Sequence, residues 1–363
     1  WQRFCTSGLF DLICHTEGEA TIKAIAVRIL AHKPLEEIPG TIFCKSRKWY
    51  PTTIVQNLDE LPFPSWDKLP FEKYETIASP HGVDLMDHQR YAPMMTSRGC
   101  PFRCTYCHIS TEKDDIGELR LKSVKRVLQE IGILKGLGVS KIYLEDDSLL
   151  AKKARVKEIF GAIQEANLTI AGVNGVNLVH LFHRVSGKLE PDEEYMKLLV
   201  AGGFKQIVFP VESGSQRILN IYATGKLNLE TMDVVKLTKI ATRIGIVTPV
   251  NMMIGFPDET ENEMMMSIEL AKRLIDTGAA YVTFFIPIPF PGSKLYDIAI
   301  NGGYLRPDFD PDIMNWKNGV MEGTTVPKER IVALRDHAWE DVNPPEHIRL
   351  RIQESMKTRL AKV

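Results

Sequence analysis

The chain has 363 residues, of which 44% are hydrophobic and 25% charged, and its 45 basic and 46 acidic residues leave a formal net charge of -1. A nearly neutral chain lacks the one-signed electrostatic field that binders of nucleic acids and membrane surfaces use. No apolar run reaches the roughly 18 residues that a membrane-spanning helix needs. We therefore expect a globular protein that binds a small-molecule substrate and has neither nucleic acid nor membrane as a partner.

The cysteines are clustered rather than spread through the chain. Three of the 6 lie between positions 100 and 107, which is unlike the disulfide framework of a secreted protein. Metal ligation in a reducing compartment fits this clustering, so we expect a cytoplasmic location. Cys5, Cys14 and Cys44 are scattered and are predicted to be buried thiols. Trp1 to Phe10 lacks the pattern of a secretion signal, and we expect the chain to begin inside a longer protein.

The first predicted elements in chain order are a short buried strand at Leu9 to Cys14 and an apolar-periodic helix at Ile22 to Leu30. The stretch from Asp59 to Pro70 is too rich in proline for a helix or a central strand, because proline lacks the amide hydrogen that both require. Residues 41–90 are accordingly predicted to be a linker between an N-terminal unit, residues 1–40, and the main domain.

The central part of the chain alternates short β-branched runs with helical patterns, which is typical of a parallel sheet covered by helices. We predict an α/β fold in which residues 91–295 form a partial (β/α)6 TIM-like barrel. An N-terminal remnant and linker precede it, and residues 296–363 form a small helical appendage. The six predicted strands are Ala92 to Met95, Lys141 to Leu144, Thr169 to Val173, Gln206 to Val211, Val247 to Ile254 and Tyr281 to Ile286.

The cysteine cluster follows the first predicted strand, at the rim where barrels keep their active sites. Cys100, Cys104 and Cys107 are separated by three and then two residues. Thiolates at this spacing can occupy three corners of an iron–sulfur cubane, and the lack of a fourth cysteine nearby leaves one iron open. The alternative is a zinc ion with His108 as fourth ligand, which predicts a zinc-stabilised binding module without catalysis.

This loop, with the aromatic Tyr106 before its last cysteine, resembles the signature of the radical S-adenosylmethionine (radical SAM) superfamily, and the resemblance extends over Tyr91 to about Leu295. It implies a 4Fe-4S cluster held by Cys100, Cys104 and Cys107. The open iron would bind S-adenosylmethionine, and an electron from the cluster would cleave it to a 5'-deoxyadenosyl radical. The resemblance also implies an electron donor such as flavodoxin or ferredoxin, and Tyr106 becomes a candidate cofactor contact.

Polar residues follow the second and third predicted strands at the same rim. Asp146 and Asp147 are adjacent carboxylates, which repel each other unless a cationic or hydroxyl-bearing ligand faces them. The resemblance implies that one of the two approaches the amino group of S-adenosylmethionine, and a solvated acidic turn is the alternative. Asn177, after the third strand, is a further candidate for cofactor binding.

The fourth and fifth strands end in residues that suit ligand contacts. Glu212 and Ser213 resemble the family's contact with the ribose and carboxylate of S-adenosylmethionine, while nearby Ser215 is equally suited to cap the next helix. Gly255 resembles the glycine whose backbone contacts the adenine. In that segment Asp258 stands where the family has glutamate. No catalytic residue is assigned.

Two pieces before the barrel extend the resemblance to a subclass. Leu9 to Leu30 resembles the last strand and helix of a cobalamin-binding domain, and Leu58 to Pro64 resembles the bridge that follows it. Most of that domain lies outside this sequence. The resemblance implies that the full-length protein binds cobalamin and transfers a methyl group to an unactivated substrate atom. The alternatives are a methylthiotransferase, which would hold a second cluster on N-terminal cysteines, or another radical SAM oxidoreductase.

Overall fold

The computed structural model describes residues 2–15, 17–51, 54–74, 89–109, 119–306, 308–315 and 318–360, with backbone only from 354. Part of the predicted linker, residues 75–88, lies outside these ranges. The helices are α1 Gln2–Thr6, α2 Glu19–Leu30, α3 Phe71–Tyr74, α4 Val124–Gly136, α5 Lys153–Ala162, α6 Glu193–Ala201, α7 Gln216–Tyr222, α8 Val234–Arg243, α9 Glu261–Asp276, α10 Lys294–Asn301, α11 Lys328–Val342 and α12 Pro345–Leu360.

The strands alternate with these helices over the middle of the chain. They are β1 Leu12–Cys14, β2 Thr41–Phe43, β3 Lys48–Tyr50, β4 Tyr91–Met94, β5 Ser97–Arg98, β6 Arg120–Leu121, β7 Lys141–Leu144, β8 Thr169–Gly172, β9 Phe182–Val185, β10 Lys188–Pro191, β11 Phe204–Ile207, β12 Phe209–Glu212, β13 Pro249–Met253 and β14 Tyr281–Phe285. No helix among the described residues is long and apolar enough to cross a membrane.

The barrel is built from parallel strands in sequential order, which confirms the predicted fold class. One sheet has the order β4-β7-β8-β11, and a second has the order β12-β13-β14. β11 and β12 are two parts of one strand interrupted at Val208, and a parallel bridge from Gln206 to Val247 continues the pairing between the sheets. Six parallel strands therefore form a partial barrel with all their carboxyl ends at one rim.

The helices cover the barrel because each presents an apolar stripe to it. Val127, Ile131 and Leu134 of α4 are buried in the common core. α9 begins with a capping box, in which the Thr260 hydroxyl accepts from the Glu263 amide and the Glu263 carboxylate accepts from the Thr260 amide. These local signals agree with the tertiary packing, so the barrel forms where the sequence patterns place it.

The N-terminal region forms a separate antiparallel sheet with the order β1-β2-β3. β1 is shorter than predicted and is half-buried to exposed, because it lies at the edge of this small sheet. α2 also leaves apolar side chains in solvent, with Ile22 59% and Leu30 82% exposed. The pairing of β1 with β2 spans the predicted boundary after residue 40, and the assignment of a cobalamin-binding unit there stays a prediction.

The C-terminal helices cover the side of the barrel next to β14. α11 buries Ile331 and Leu334 against the core. Asn343 then extends the sheet edge, because its side chain accepts from the amide of Val282 at 2.7 Å and donates to the carbonyl of Val282 at 2.9 Å. The predicted appendage is therefore packed onto the barrel wall.

Candidate functional site at the barrel rim

The three cysteines of the motif lie on one loop beyond the carboxyl end of β4. The Cys107 amide donates to the carbonyl of Cys104 at 3.1 Å, which closes a turn between the last two cysteines. Thr105 joins the loop to the barrel, because its amide donates to the Tyr222 carbonyl and its carbonyl accepts from the Leu295 amide, both at 2.8 Å. Main-chain hydrogen bonds thus hold the loop at the rim.

Asp146 and Asp147, both predicted cofactor contacts, bind the segment that leads into this loop. Asp146 is buried and accepts from the amide and hydroxyl of Thr96 and from the hydroxyl of Ser97. Asp147 accepts from the amide of Gly99 at 2.9 Å. Burial raises the pKa of Asp146, although the hydrogen bonds from Ser97 and Thr96 oppose the rise. Both carboxylates position the loop, and their contact with a cofactor stays a prediction.

A buried lysine that the sequence patterns did not indicate lies beside the cysteines. Lys226 is 6% exposed and forms an ion pair with Glu212, which is 7% exposed. Burial alone would lower the pKa of Lys226, but the charges of Glu212, Cys104 and Cys107 outweigh it and raise that pKa. Burial raises the pKa of the Cys104 thiol, and the ammonium group opposes this rise. Positive charge therefore lies next to sulfurs that would bind metal as thiolates.

Glu212 and Ser213 were both predicted to contact S-adenosylmethionine, but in the structure the two side chains have different neighbours. Glu212 ends β12 with a φ of +68°, a left-handed conformation that costs a non-glycine residue about 1–3 kcal/mol. This backbone accompanies its pairing with Lys226 beside the cysteines. Ser213 is fully buried, lies 3.3 Å from the hydroxyl of Ser267 and accepts from the amide of Ser215 at 3.0 Å. Of the two, only Glu212 approaches the cysteine loop.

Asn177 and Tyr106 both lie at the cysteine loop. The side-chain nitrogen of Asn177 donates to Sγ of Cys100 at 3.7 Å. The Tyr106 ring packs 5.8 Å from the ring of Phe256, centroid to centroid. Burial, followed by the charge of Glu212, raises the pKa of Tyr106 well above its ordinary value. Two of the residues predicted for cofactor binding therefore lie at the cysteine loop, and Asn177 contacts a sulfur directly.

Both the backbone conformation and a close side-chain contact require glycine at position 255. Its φ is +100°, and a Cβ there would come within 2.6 Å of Cγ2 of Ile331. Its amide donates to Glu259 at 2.7 Å, and the amide of Phe256 donates to the same carboxylate oxygen. Glu259 is fully buried, and burial raises its pKa to about 8 against the opposing effect of these amides. Glu259 therefore organises this turn, whereas Asp258 was the residue singled out from the sequence.

A cavity of about 300 Å³ lies between the proline-rich bridge and the end of β4. Leu61, Pro64 and Trp66 line it from the bridge, and Met94 and Arg98 line it from the strands. The bridge thus covers the rim beside the segment that leads to Cys100. The cavity is half open, and its lining combines apolar side chains with the charged side chains of Arg98, Lys122, Glu130 and Glu145.

The N-terminal cysteines differ from the prediction of buried thiols. Cys5 and Cys44 form a disulfide, because the end of β2 lies next to α1, and Cys14 is exposed at the end of β1. The disulfide leaves this region with one thiol. A second cluster on three N-terminal thiolates, as the methylthiotransferase alternative requires, does not fit this arrangement.

The donor set of the rim fits an iron–sulfur cluster. Three cysteines share one loop, and a cation and an amide donor lie beside their sulfurs. Within the described ranges, no three His, Cys, Asp or Glu side chains are gathered around one point as ligands of a metal ion would be. A cubane does not require such convergence, because each cysteine binds a different iron.

Comparisons with known proteins agree with this chemistry. The profile of the Radical SAM superfamily matches residues 94–271. The chain is 33% identical over 312 residues to an uncharacterized methyltransferase of Pyrococcus horikoshii, covering 85% of this chain and 60% of that protein. It is 30% identical over 277 residues to the cytidylyl-2-hydroxyethylphosphonate methyltransferase of Streptomyces wedmorensis, covering 73% of this chain and 47% of that protein.

The fold is also similar to that of a solved structure. The radical SAM methyltransferase TsrM of Kitasatospora setae, with cobalamin and a [4Fe-4S] cluster bound, superposes with a TM-score of 0.60 at 18% identity, over 85% of this chain and 57% of that chain. The chain thus spans about half to three fifths of the length of these three proteins.

Proposed function

Since this chain belongs to the radical SAM superfamily, whose members use a 4Fe-4S cluster and S-adenosylmethionine, we propose that Cys100, Cys104 and Cys107 hold that cluster and that the complete protein is a cobalamin-dependent methyltransferase. The observation that carries the proposal is the cysteine loop at the rim of a parallel barrel, with Asn177 donating to the sulfur of Cys100 and the charge of Lys226 acting on Cys104 and Cys107.

The cluster, when bound, supplies the electron that cleaves S-adenosylmethionine to a 5'-deoxyadenosyl radical. The residues of this chain hold the cysteine loop that would bind the cluster. Asp146 and Asp147 hold the start of the cysteine loop, and the backbone of Thr105 holds its middle. Lys226 compensates the negative charge of the thiolates, since opposite charges interact strongly where water is excluded.

The methyl-transfer part of the proposal is supported by the names of the two relatives at 30% identity or more, both methyltransferases. Cobalamin is bound in the solved TsrM structure of similar fold. We propose that β1 and α2, which precede the barrel, are the end of a cobalamin-binding unit. We propose a small-molecule substrate and an electron donor of the flavodoxin or ferredoxin type.

The test is cluster assembly and S-adenosylmethionine cleavage under nitrogen. The wild-type chain, reconstituted with iron and sulfide, should turn brown and release 5'-deoxyadenosine after reduction. Cys104→Ala should lose 5'-deoxyadenosine production by about a thousandfold or more, because one of three cluster ligands is gone. Cys14→Ala is the matched control, since that thiol is exposed outside the barrel.

The proposal fails if the wild-type chain binds one zinc ion and no acid-labile sulfide, which is what the non-catalytic binding module predicts. It also fails if Cys104→Ala retains wild-type cleavage. The methyl-transfer part is tested separately on the full-length protein, which should purify with cobalamin. A full-length protein free of cobalamin would remove that part and leave the cleavage chemistry standing.

A further inference from the structure

The side chain of Asn177 is held between two loops of the rim. It lies at the end of the turn that follows β8 and is 7% exposed. Its Nδ2 donates to Oγ of Ser148 at 3.0 Å, and Ser148, in the loop after β7, is 1% exposed. The same nitrogen donates to Sγ of Cys100 at 3.7 Å. An amide nitrogen carries two hydrogens, so both contacts can be made at once.

Asn177 does not serve the local role that its position offers. It precedes the 3-10 helix Leu178–Leu181 at the N-cap position, where an asparagine oxygen ordinarily accepts from backbone amides. No such hydrogen bond forms here. The side chain instead turns to the sulfur of a predicted cluster ligand, and its contact with Ser148 keeps it there.

Each cysteine of the loop interacts with either the charge of Lys226 or the amide of Asn177. Cys104 and Cys107 interact with the charge of Lys226. Cys100 receives the amide of Asn177. Hydrogen bonds to cluster sulfurs are among the main determinants of cluster reduction potential, because the positive end of the donor stabilises the additional negative charge of the reduced state.

We propose that Asn177 is a positioning residue that acts through Cys100, orienting its sulfur and raising the reduction potential of the cluster. Ser148 fixes the amide of Asn177 in this role. The proposal rests on the proposed function, since it requires the cluster. It assigns Asn177 to the cluster rather than to S-adenosylmethionine, for which it was a candidate in the sequence.

The experiment is a redox titration of the reconstituted chain, followed by the electron paramagnetic resonance signal of the reduced cluster. Asn177→Leu removes both donor hydrogens at similar size, so the midpoint potential should shift downward. Ser148→Ala should shift it in the same direction by less, because the amide remains but is no longer fixed. Asn174→Leu is the matched control, since Asn174 is exposed on the same turn and its amide binds the carbonyl of Glu145. Its midpoint should equal that of the wild type.

Iron and sulfide are measured for every variant, so that potential is compared only between loaded proteins. If Asn177→Leu does not load, Ser148→Ala decides the question. Wild-type midpoints in the loaded variants overturn this proposal and leave the proposed function intact. An equal downward shift in Asn174→Leu also overturns it, because the effect would then come from the turn rather than from the sulfur contact. A wild-type chain without iron and sulfide overturns the proposed function itself.

Discussion

The barrel and the N-terminal segment, residues 2–50, are stabilised by different interactions. All four residues of β7 are buried, and helices on the outside of the barrel bury apolar stripes against the same core. The N-terminal segment buries Ile38 and Ile42 apart from that core but exposes other large apolar side chains, with Leu30 82% and Trp49 53% exposed. Burial of apolar surface thus stabilises the barrel, whereas the N-terminal segment has a small apolar centre of its own and polar contacts with the barrel rim.

Those polar contacts centre on Glu17. Its carboxylate pairs with Arg98 at 3.1 Å and with Arg120 at 2.6 Å. Glu19, at the start of α2, also pairs with Arg98. Arg98 and Arg120 lie opposite each other in the antiparallel β5–β6 pair, with Arg98 before Cys100 and Arg120 after Cys107 in the chain. The N-terminal segment is therefore joined to the strand pair that flanks the cysteine loop.

The largest expected effect is a loss of unfolding free energy when a buried leucine of the barrel is truncated, compared with an exposed leucine of the N-terminal segment. Leu237 of α8 is fully buried in the core, so Leu237→Ala should lower the free energy of unfolding by about 3 kcal/mol through the cavity that it leaves. Leu30→Ala, at an exposed position, should change it by less than about 0.5 kcal/mol. Urea unfolding of both variants measures the two changes. Equal losses would mean that the N-terminal segment shares the core of the barrel.

A smaller effect is expected from Glu17→Gln, which keeps the shape and removes the charge. The side chains of Glu17 and Arg120 are 13% and 10% exposed, so breaking their pair should cost about 1–2 kcal/mol, less than a fully buried pair. Hydrogen exchange should speed up in α2 and in the β5–β6 pair but not in β13. Glu193→Gln is the control, because its pairs with Arg243 and Lys197 are on the surface and should show no measurable change. Unchanged exchange in the β5–β6 pair would refute the coupling.

The smallest effect is a pH dependence of the N-terminal segment. Burial alone would raise the pKa of Glu17, but Arg120 and Arg98 outweigh it and hold that pKa below its ordinary 4.5, and the hydrogen bond from Arg98 lowers the pKa of Glu19. A carboxyl group with a lowered folded-state pKa stabilises fully above about pH 4.5 and loses this contribution as the pH falls through the lowered value. The protection factors of α2, which correct for the pH dependence of intrinsic exchange, should therefore fall on acidification before those of β13. Glu17→Gln should weaken this dependence, and an identical dependence in the variant would contradict the assignment.

The barrel was predictable because its signals are local. The strands Lys141–Leu144 and Tyr281–Phe285 lie within one residue of their predicted positions, since buried parallel strands appear as short apolar runs. The interruption at Val208 was not predictable, because it depends on pairing with neighbouring strands. The run of three methionines at the start of α9 is only partly core. Met264 is fully buried, but Met265 and Met266 are 38% and 44% exposed on the outer side of α9.

In the site, too, local features were predictable and features that depend on distant parts of the chain were not. The cysteine spacing lies within one loop and was recognisable, whereas Lys226 reaches that loop from a distant part of the chain. Nothing in the residues around Lys226 distinguishes it from a surface lysine. The disulfide between Cys5 and Cys44 was missed for a similar reason, since 39 positions separate its partners and spacing alone does not indicate their contact.

The backbone of Glu212 has a consequence for protein engineering. A glycine there would relieve the left-handed conformation at φ +68°, and any redesign that scores backbone geometry alone would choose it. That choice would leave the buried ammonium of Lys226 without its counter-ion, which costs about 3–5 kcal/mol, more than the backbone strain that glycine relieves. Position 212 should therefore be held constant when this barrel is optimised, because its backbone geometry favours glycine but its ion pair requires a carboxylate.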